Sequence, residues 1–434
     1  MKNFLLFAIM ATALLLAGQF QSWAFSLTIL NLCIISAIMA LGVNIQWGYA
    51  GIFNVGIMGF AALGGLAAVL TRTRPVAEAW AAGGAGMGLT LISVIATIGA
   101  VIFVRKKLTG QMRGFATFLT VFVGYFVIRY FFDPATNSIE RIDPALTGYL
   151  GGANLPIVFS WAVGGAFAAG AAWLVGKIAL GLRSDYLAIA TLGISEIIIA
   201  ILKNEEWLAR GVKNISGLDG PMPKAIELQT SDWFLNLAER LGADPIALSG
   251  IFVKVGIALM FTAVLVFVMI LSEKALNSPW GRMMRAIRDN RDAAEAMGKD
   301  VTKRHLQTFI IGSAVVGIAG AMLVTLNLQF TPTDYNPLRY TFLIWVMVIV
   351  GGSGNNWGSV LGGFLIWFVW IEAERGGPVL AEFITAGMAD DSFFKEILVE
   401  RAAHFRLFLM GVILLLVLRF SPKGLIPEKT ARSQ

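Results

Sequence analysis

The sequence predicts an all-α polytopic membrane protein, a bundle of about 10–12 transmembrane helices that includes broken or half-helices. Three observations carry that expectation. Charged residues make up 14% of the chain, against roughly 25% in soluble domains. Apolar runs long enough to cross about 30 Å of hydrocarbon recur along the whole length. Gly at 47 and Trp at 12 of 434 residues suit helices that approach through small side chains and keep aromatic groups at the membrane surfaces. The net charge of +7 sits in short basic segments between apolar runs, with no basic patch interleaved with aromatics, so no nucleic-acid partner is expected. One cysteine, Cys33, and two distant histidines, His305 and His404, exclude an internal disulfide and offer no metal-ligand cluster. Neither a metal nor a cofactor is expected.

The first apolar run, 4–20, opens "MKNFLLFAIMATALLLAG". Its charged start and the "SWA" downstream are features of a signal peptide, yet it reads better as a retained helix. Spans at 26–47 and 52–70 follow, separated by "GYAGIFN". Glycine lets backbone leave the helix, which a membrane tolerates only where the chain is buried in protein or lines water. The segment therefore reads as a break between two half-helices or as close glycine packing. Asn44, Gln46, Tyr49 and Asn54 surround it and are candidates to line a path, or they lie at the membrane surface. Spans 82–104 and 114–132 flank "RKKLTGQMR", whose Arg105, Lys106, Lys107 and Arg113 come with no acid and mark the cytoplasmic side.

Spans 155–180 and 184–202 come next, and the second carries Glu196, the one acid well inside a span. A carboxylate at that depth is costly unless paired, protonated or hydrated. Glu196 is read first as the partner of a donor on a neighbouring helix and second as a pathway residue. The acid-rich segments 203–249 and 372–402 are assigned outside. Between them lie spans 250–272, 306–327, 338–352 and 357–372, and 403–420 closes the series. The short run 338–352 ends in "GGSGNNWG", so it and its successor are two crossings joined by a tight turn, or a broken pair. Twelve crossings put both termini in the cytoplasm, and residues 1–434 form a single membrane domain.

The most highly charged stretch, "SPWGRMMRAIRDNRDAAEAMGKDVTKRHLQ", falls in the cytoplasmic loop of about 273–304. Good helix formers run from a Ser-Pro start to a terminal Gly, which predicts a short helix. Met283, Met284, Ile287 and Ala294 can face the membrane or a partner while Arg285, Arg288, Asp289 and Asp292 face solvent. A plain amphipathic connector lying on lipid is the alternative.

Within this loop "DAAEAMG", Asp292 to Gly298, resembles the EAA motif of bacterial ABC importers, with Asp in the first position. Four further stretches narrow the resemblance: "GYAGIFNVGIMGFAALGG", "RSDYLAIATLGISEI", "VMVIVGGSGNNWGSVLGG" and "RFSPKGLIP". Together, from about residue 30 to 427, they resemble LivM-type permeases of branched-chain amino acid ABC importers. That resemblance implies a non-enzymatic subunit of the bacterial inner membrane. It further implies two ABC ATPase subunits, an H-type partner permease in a heterodimer and a periplasmic substrate-binding protein. Arg285, Arg288, Asp292, Ala293, Ala294 and Gly298 would form the helix that docks on an ATPase. Urea and short-chain amide importers have similar permeases, so the substrate stays open. An ion-coupled transporter would normally need more intramembrane acids than Glu196.

Two partial motifs carry nothing. "GAAWLVGKI" has five residues between its glycines and Ile after Lys, where a phosphate loop has four and Ser or Thr. "GSGNNWG" misses the dinucleotide spacing and follows no strand. ATP hydrolysis, if it drives the chain, belongs to another polypeptide.

Overall fold

The computed structural model describes residues 2–143, 147–386 and 402–428. Helices α1 (Lys2–Phe20) and α2 (Trp23–Val43) open the chain, and α2 runs directly into a π-helical stretch, Asn44–Tyr49. An irregular turn leads to α3 (Ile57–Arg72), then to the long pair α4 (Ala77–Lys107) and α5 (Gly110–Glu140). After α6 (Phe159–Ala179) and α7 (Ser184–Asn204) come three short helices, α8 (Glu206–Ala209), α9 (Ala225–Gln229) and α10 (Asp232–Leu241). Next are α11 (Pro245–Asn277), the loop helices α12 (Pro279–Asp289) and α13 (Arg291–Ala296), and α14 (Val301–Asn327). The described chain ends with α15 (Pro337–Gly351), α16 (Asn356–Thr385) and α17 (Phe405–Phe420). Eight of these helices are long and apolar enough to cross a membrane, and α3 and α15 are shorter apolar helices. The chain is an all-α multi-pass membrane protein.

Local chemistry sets the boundaries. Ser22 caps α2 by accepting the Phe25 amide at 3.1 Å, and Asp244 accepts that of Ala247 at 3.1 Å ahead of Pro245. Asn336 and Asn355 cap α15 and α16 in the same way. Such side chains satisfy amides that the first helical turn leaves without partners. The same rule corrects one expectation. The charged loop is two helices rather than one, because Asn290 takes an extended backbone and its side chain accepts the Ala293 amide at 3.0 Å.

Helix α14 is the centre of the packing, lying against α2, α3 and α6. A side chain on Gly64 would run into the Gly317 backbone, so these two helices meet at a separation that only small residues permit. The α4–α5 pair packs chiefly on itself and leaves large apolar side chains such as Ile95, Phe118 and Phe126 exposed. The bundle has two distinct ends. The loop end carries α12, α13, the turn at 50–56, the turn at 352–355 and residues 421–428. The far end carries a two-residue antiparallel pairing, Ile215 with Phe330 and Ser216 with Gln329, and the Arg72–Asp219 ion pair at 2.8 Å.

Two segments expected as outer loops are more ordered than their composition suggests. Residues 203–249 hold α8 to α10, and α16 continues through Thr385 past the expected boundary at 372. Residues 387–401 of the second segment lie outside the described residues. The run 338–352 and its successor are two helices joined by a turn at 352–355.

Candidate functional site: a polar break tied to the charged loop

At the loop end, α2 leaves regular geometry and the chain turns back into α3 through residues 50–56, of which Ala50, Ile52, Asn54 and Gly56 are buried. Buried backbone of this kind needs partners, and the surrounding polar side chains provide them. The Asn54 side chain accepts the Gly56 amide at 2.9 Å and donates to Gln46 at 2.9 Å. Gln46 in turn donates to Ser313 and to the Phe309 carbonyl, each at 3.0 Å. From α7, the Thr191 hydroxyl accepts the Val55 amide at 3.1 Å and Ser195 accepts that of Gly59 at 2.8 Å.

A second cluster lies beside the first. The Asn356 carbonyl accepts from Asn44 at 3.1 Å and from the Tyr49 hydroxyl, while its amide donates to Glu273 at 3.0 Å. Asn44 also accepts the Gly354 amide at 2.8 Å. Asn44, Gln46, Tyr49 and Asn54 are all buried. Each is engaged with protein, so together they lock α2, α11, α14 and α16 around the break. Next to the clusters the Trp345 ring packs edge-on to Trp47 and Phe53 with centroids 4.8 and 4.7 Å apart, and its indole donates to the Asn54 carbonyl at 3.1 Å. Polar locks and aromatic rings together fill the loop end.

The charged loop is joined to this break directly. Arg288 donates to the Gly48 carbonyl oxygen and pairs with Glu428 at 2.9 Å, and Arg285 lies 3.9 Å from the same carboxylate. The expectation that both arginines face solvent is therefore corrected. They are half-buried against the chain's own tail, because Met284 and Ile287 turn into the bundle and bring that face of α12 with them. Ala294 is buried, whereas Asp292, Ala293 and Gly298 are exposed and Met297 is 80% exposed. Gly298 has φ +75° with open space around it. Its requirement is a left-handed backbone.

Glu196 stands apart. The face of α7 that carries Thr191 and Ser195 packs on the break, and Glu196 follows on the exposed face beside Ile197. Among the described residues it makes no hydrogen bond or ion pair, so the expected donor on a neighbouring helix of this chain is not there. Sequence reasoning missed Asn356, Glu273, Ser313 and Glu428. Asn356 had a signal, since it sits in the glycine- and asparagine-rich "GGSGNNWG" turn; Glu273 looks like an ordinary helix-end residue, Ser313 like a small packing residue in mid-span and Glu428 like a solvated tail charge. Among the described residues no group of three His, Cys, Asp or Glu could hold a metal ion.

Comparison with known proteins adds to this geometry. Over 248 residues the chain is 27% identical to a probable branched-chain amino acid transport permease protein LivM of Methanocaldococcus jannaschii, covering 57% of this chain and 61% of that one. Over 210 residues it is 29% identical to the high-affinity branched-chain amino acid transport system permease protein LivM of Escherichia coli, covering 47% and 48%. The Salmonella typhimurium counterpart is 28% identical over 208 residues. The matched stretch spans about half to three-fifths of these relatives' length. No solved structure matches the chain. The family model described as branched-chain amino acid transport system / permease component matches residues 144–418, a stretch that holds Glu273, Ser313, Asn356 and the whole charged loop, and the chain belongs to that family.

Proposed function

We propose that this chain is the membrane-spanning permease subunit of an ABC importer that moves branched-chain or related hydrophobic amino acids inward across the bacterial inner membrane. Two separate ATPase subunits power it, a second permease of the H type completes the pathway, and a periplasmic binding protein delivers substrate at the far end. In this reading both termini and the loop end are cytoplasmic, as the basic run Arg105 to Arg113 favours.

The observation that carries the proposal is the contact of Arg288 with the Gly48 carbonyl. It joins α12 to the break between α2 and α3, so a displacement of the loop by a partner reaches the locked end of the bundle through one side chain. Docking falls to the exposed surface of α13, where Asp292, Ala293 and Met297 project. The Asn44–Gln46–Tyr49–Asn54 group then acts as the closed cytoplasmic gate. Co-expression of the tagged chain with its candidate partners, identification of the proteins that co-purify and measurement of ATP-dependent leucine uptake in proteoliposomes test the reading. Uptake without ATP, or uptake of urea and not of leucine, refutes it.

A further inference from the structure

A cavity of about 240 Å³ lies between α2, α3, α14, α15 and α16. It is smaller than the roughly 300–1,000 Å³ typical of drug-sized ligand sites, a size suited to a small metabolite. Its walls are aliphatic, with Leu32, Ile35, Met39, Met58, Leu323 and Ile344 contributing. Polar groups break that surface: Ser36, Asn327, Tyr335 and Tyr340 line it, and two further residues stand out. Asp334, at the far end, lines the cavity, and among the described residues no cation pairs with its carboxylate. Trp367 lines it too, and its buried indole Nε1 has no hydrogen-bond partner in the protein. The cavity thus offers one negative group, one N–H donor unpaired within the protein, several hydroxyl and amide groups, and an oily wall.

We propose that this cavity is a selectivity site inside the membrane subunit and that it holds a hydrophobic α-amino acid as its zwitterion. The ammonium meets Asp334, the carboxylate accepts from the Trp367 indole, and the side chain lies on the aliphatic wall. Each polar group of the ligand finds a complement, and burial of its hydrocarbon supplies the rest of the affinity. Urea has neither hydrocarbon nor net charges, and most of the wall would gain nothing from it. The gate of Gln46 and Asn54 lies toward the loop end, between Met39 and Met58 in the chain, so a ligand here sits on the far side of the lock. Asp334 keeps an exposed side, yet the cavity wall desolvates it enough to raise its carboxyl above the ordinary aspartate value. That is the behaviour of an acid without a cation.

The inference rests on the transport reading but is tested apart from it. The only native cysteine, Cys33, is buried, so Leu323→Cys gives a reporter in the assembled permease–ATPase complex without its binding protein. L-leucine is expected to slow maleimide labelling of that cysteine while urea does not. Adding Asp334→Asn should raise the leucine concentration needed for half-protection by about tenfold, and Asp334→Glu should restore most of it. Leucine uptake by the complete complex, measured in parallel, reports the transport reading by itself. If leucine is transported but gives no protection, or if protection is indifferent to Asp334→Asn, the site is wrong and the permease assignment stands. A Leu323→Cys protein that cannot be labelled at all also overturns the site, since the cavity is then closed to solutes.

Discussion

Arg288 and Glu428 meet at 2.9 Å, joining the last turn of α12 to a tail segment well over one hundred residues further along the chain. With Arg288 also donating to Gly48, one guanidinium holds the loop, the break and the tail. The Arg288 side chain is 24% exposed and that of Glu428 17%, so solvent screens the pair only in part. Arg288→Ala is expected to leave an assembled complex whose ATP hydrolysis is poorly stimulated by loaded binding protein. Removing one partner of such charge-assisted bonds typically costs about 1.5–3 kcal/mol. Arg288→Lys keeps the charge but loses the forked geometry and should fall between. Stimulated hydrolysis at wild-type rates in Arg288→Ala would sever the proposed link.

Asn356 accepts from two buried donors, Asn44 and Tyr49. Asn356→Leu strands the Asn44 amide and leaves the Tyr49 hydroxyl only the longer contact to the Ser272 carbonyl at 3.4 Å, and a stranded group costs about 1–3 kcal/mol. Tyr49→Phe removes one donor and leaves the Asn44 contact in place, so it should be the milder change. Thermal unfolding of the purified complex, followed for both variants, gives the ranking, and the reverse order would contradict the described network.

Gly298 and Ala294 should respond to different tests. At Gly298 the left-handed backbone is the constraint, so Gly298→Asn should cost little and Gly298→Val about 1–2 kcal/mol, from strain alone. Ala294 is buried against the chain itself, and Ala294→Leu should destabilise the loop by about 1–3 kcal/mol through overpacking. Hydrogen exchange over residues 290–300 separates the two, since only Ala294→Leu should expose amides of α13.

Among the described residues the exposed Glu196 side chain makes no hydrogen bond or ion pair, so Glu196→Leu should leave the stability of this subunit within about 0.5 kcal/mol of the native value. A large drop in the unfolding temperature of the chain purified alone would show a partner that the fold does not contain.

Asp219 pairs with Lys224 at 3.1 Å and Arg72 at 2.8 Å. The Lys224 hydrogen bond, assisted by both positive charges, holds its carboxyl below the usual aspartate range. A lowered folded-state value means that the stabilisation is complete above the unfolded value of about 3.9 and is lost as pH falls through the folded one. Exchange protection around residues 215–220 should hold at pH 5 and fade below pH 4. The Asp219→Asn variant should show neither the extra protection nor the acid step.

Much of this fold was legible because lipid leaves a chain few options. Long apolar runs had to be helices, and the spans 82–104 and 114–132 reappear inside α4 and α5. The short turn at 352–355 was readable from its glycines and asparagines. Less legible was whatever depended on contacts distant in sequence. Arg285 and Arg288 have the pattern of a solvated face, and nothing local announces that Glu428 returns to cover them. Glu196 shows the same split, since its depth was visible in the sequence while its direction on α7 depended on which face meets α3.

The return of the tail has a consequence for the order of synthesis. The amides of Leu425 and Ile426 donate to the carbonyls of Val350 and Gly351, each at 2.9 Å, and Glu428 supplies the carboxylate for Arg288. On the ribosome, α12 and the break emerge long before these residues, by something on the order of ten seconds at ~5–20 residues per second. Until then the loop helix lacks its clamp and the end of α15 lacks its cap. A nascent or prematurely terminated chain therefore lacks the clamp that joins the loop, the break and the tail. Completion of the last stretch is what closes the contacts among the earlier ones.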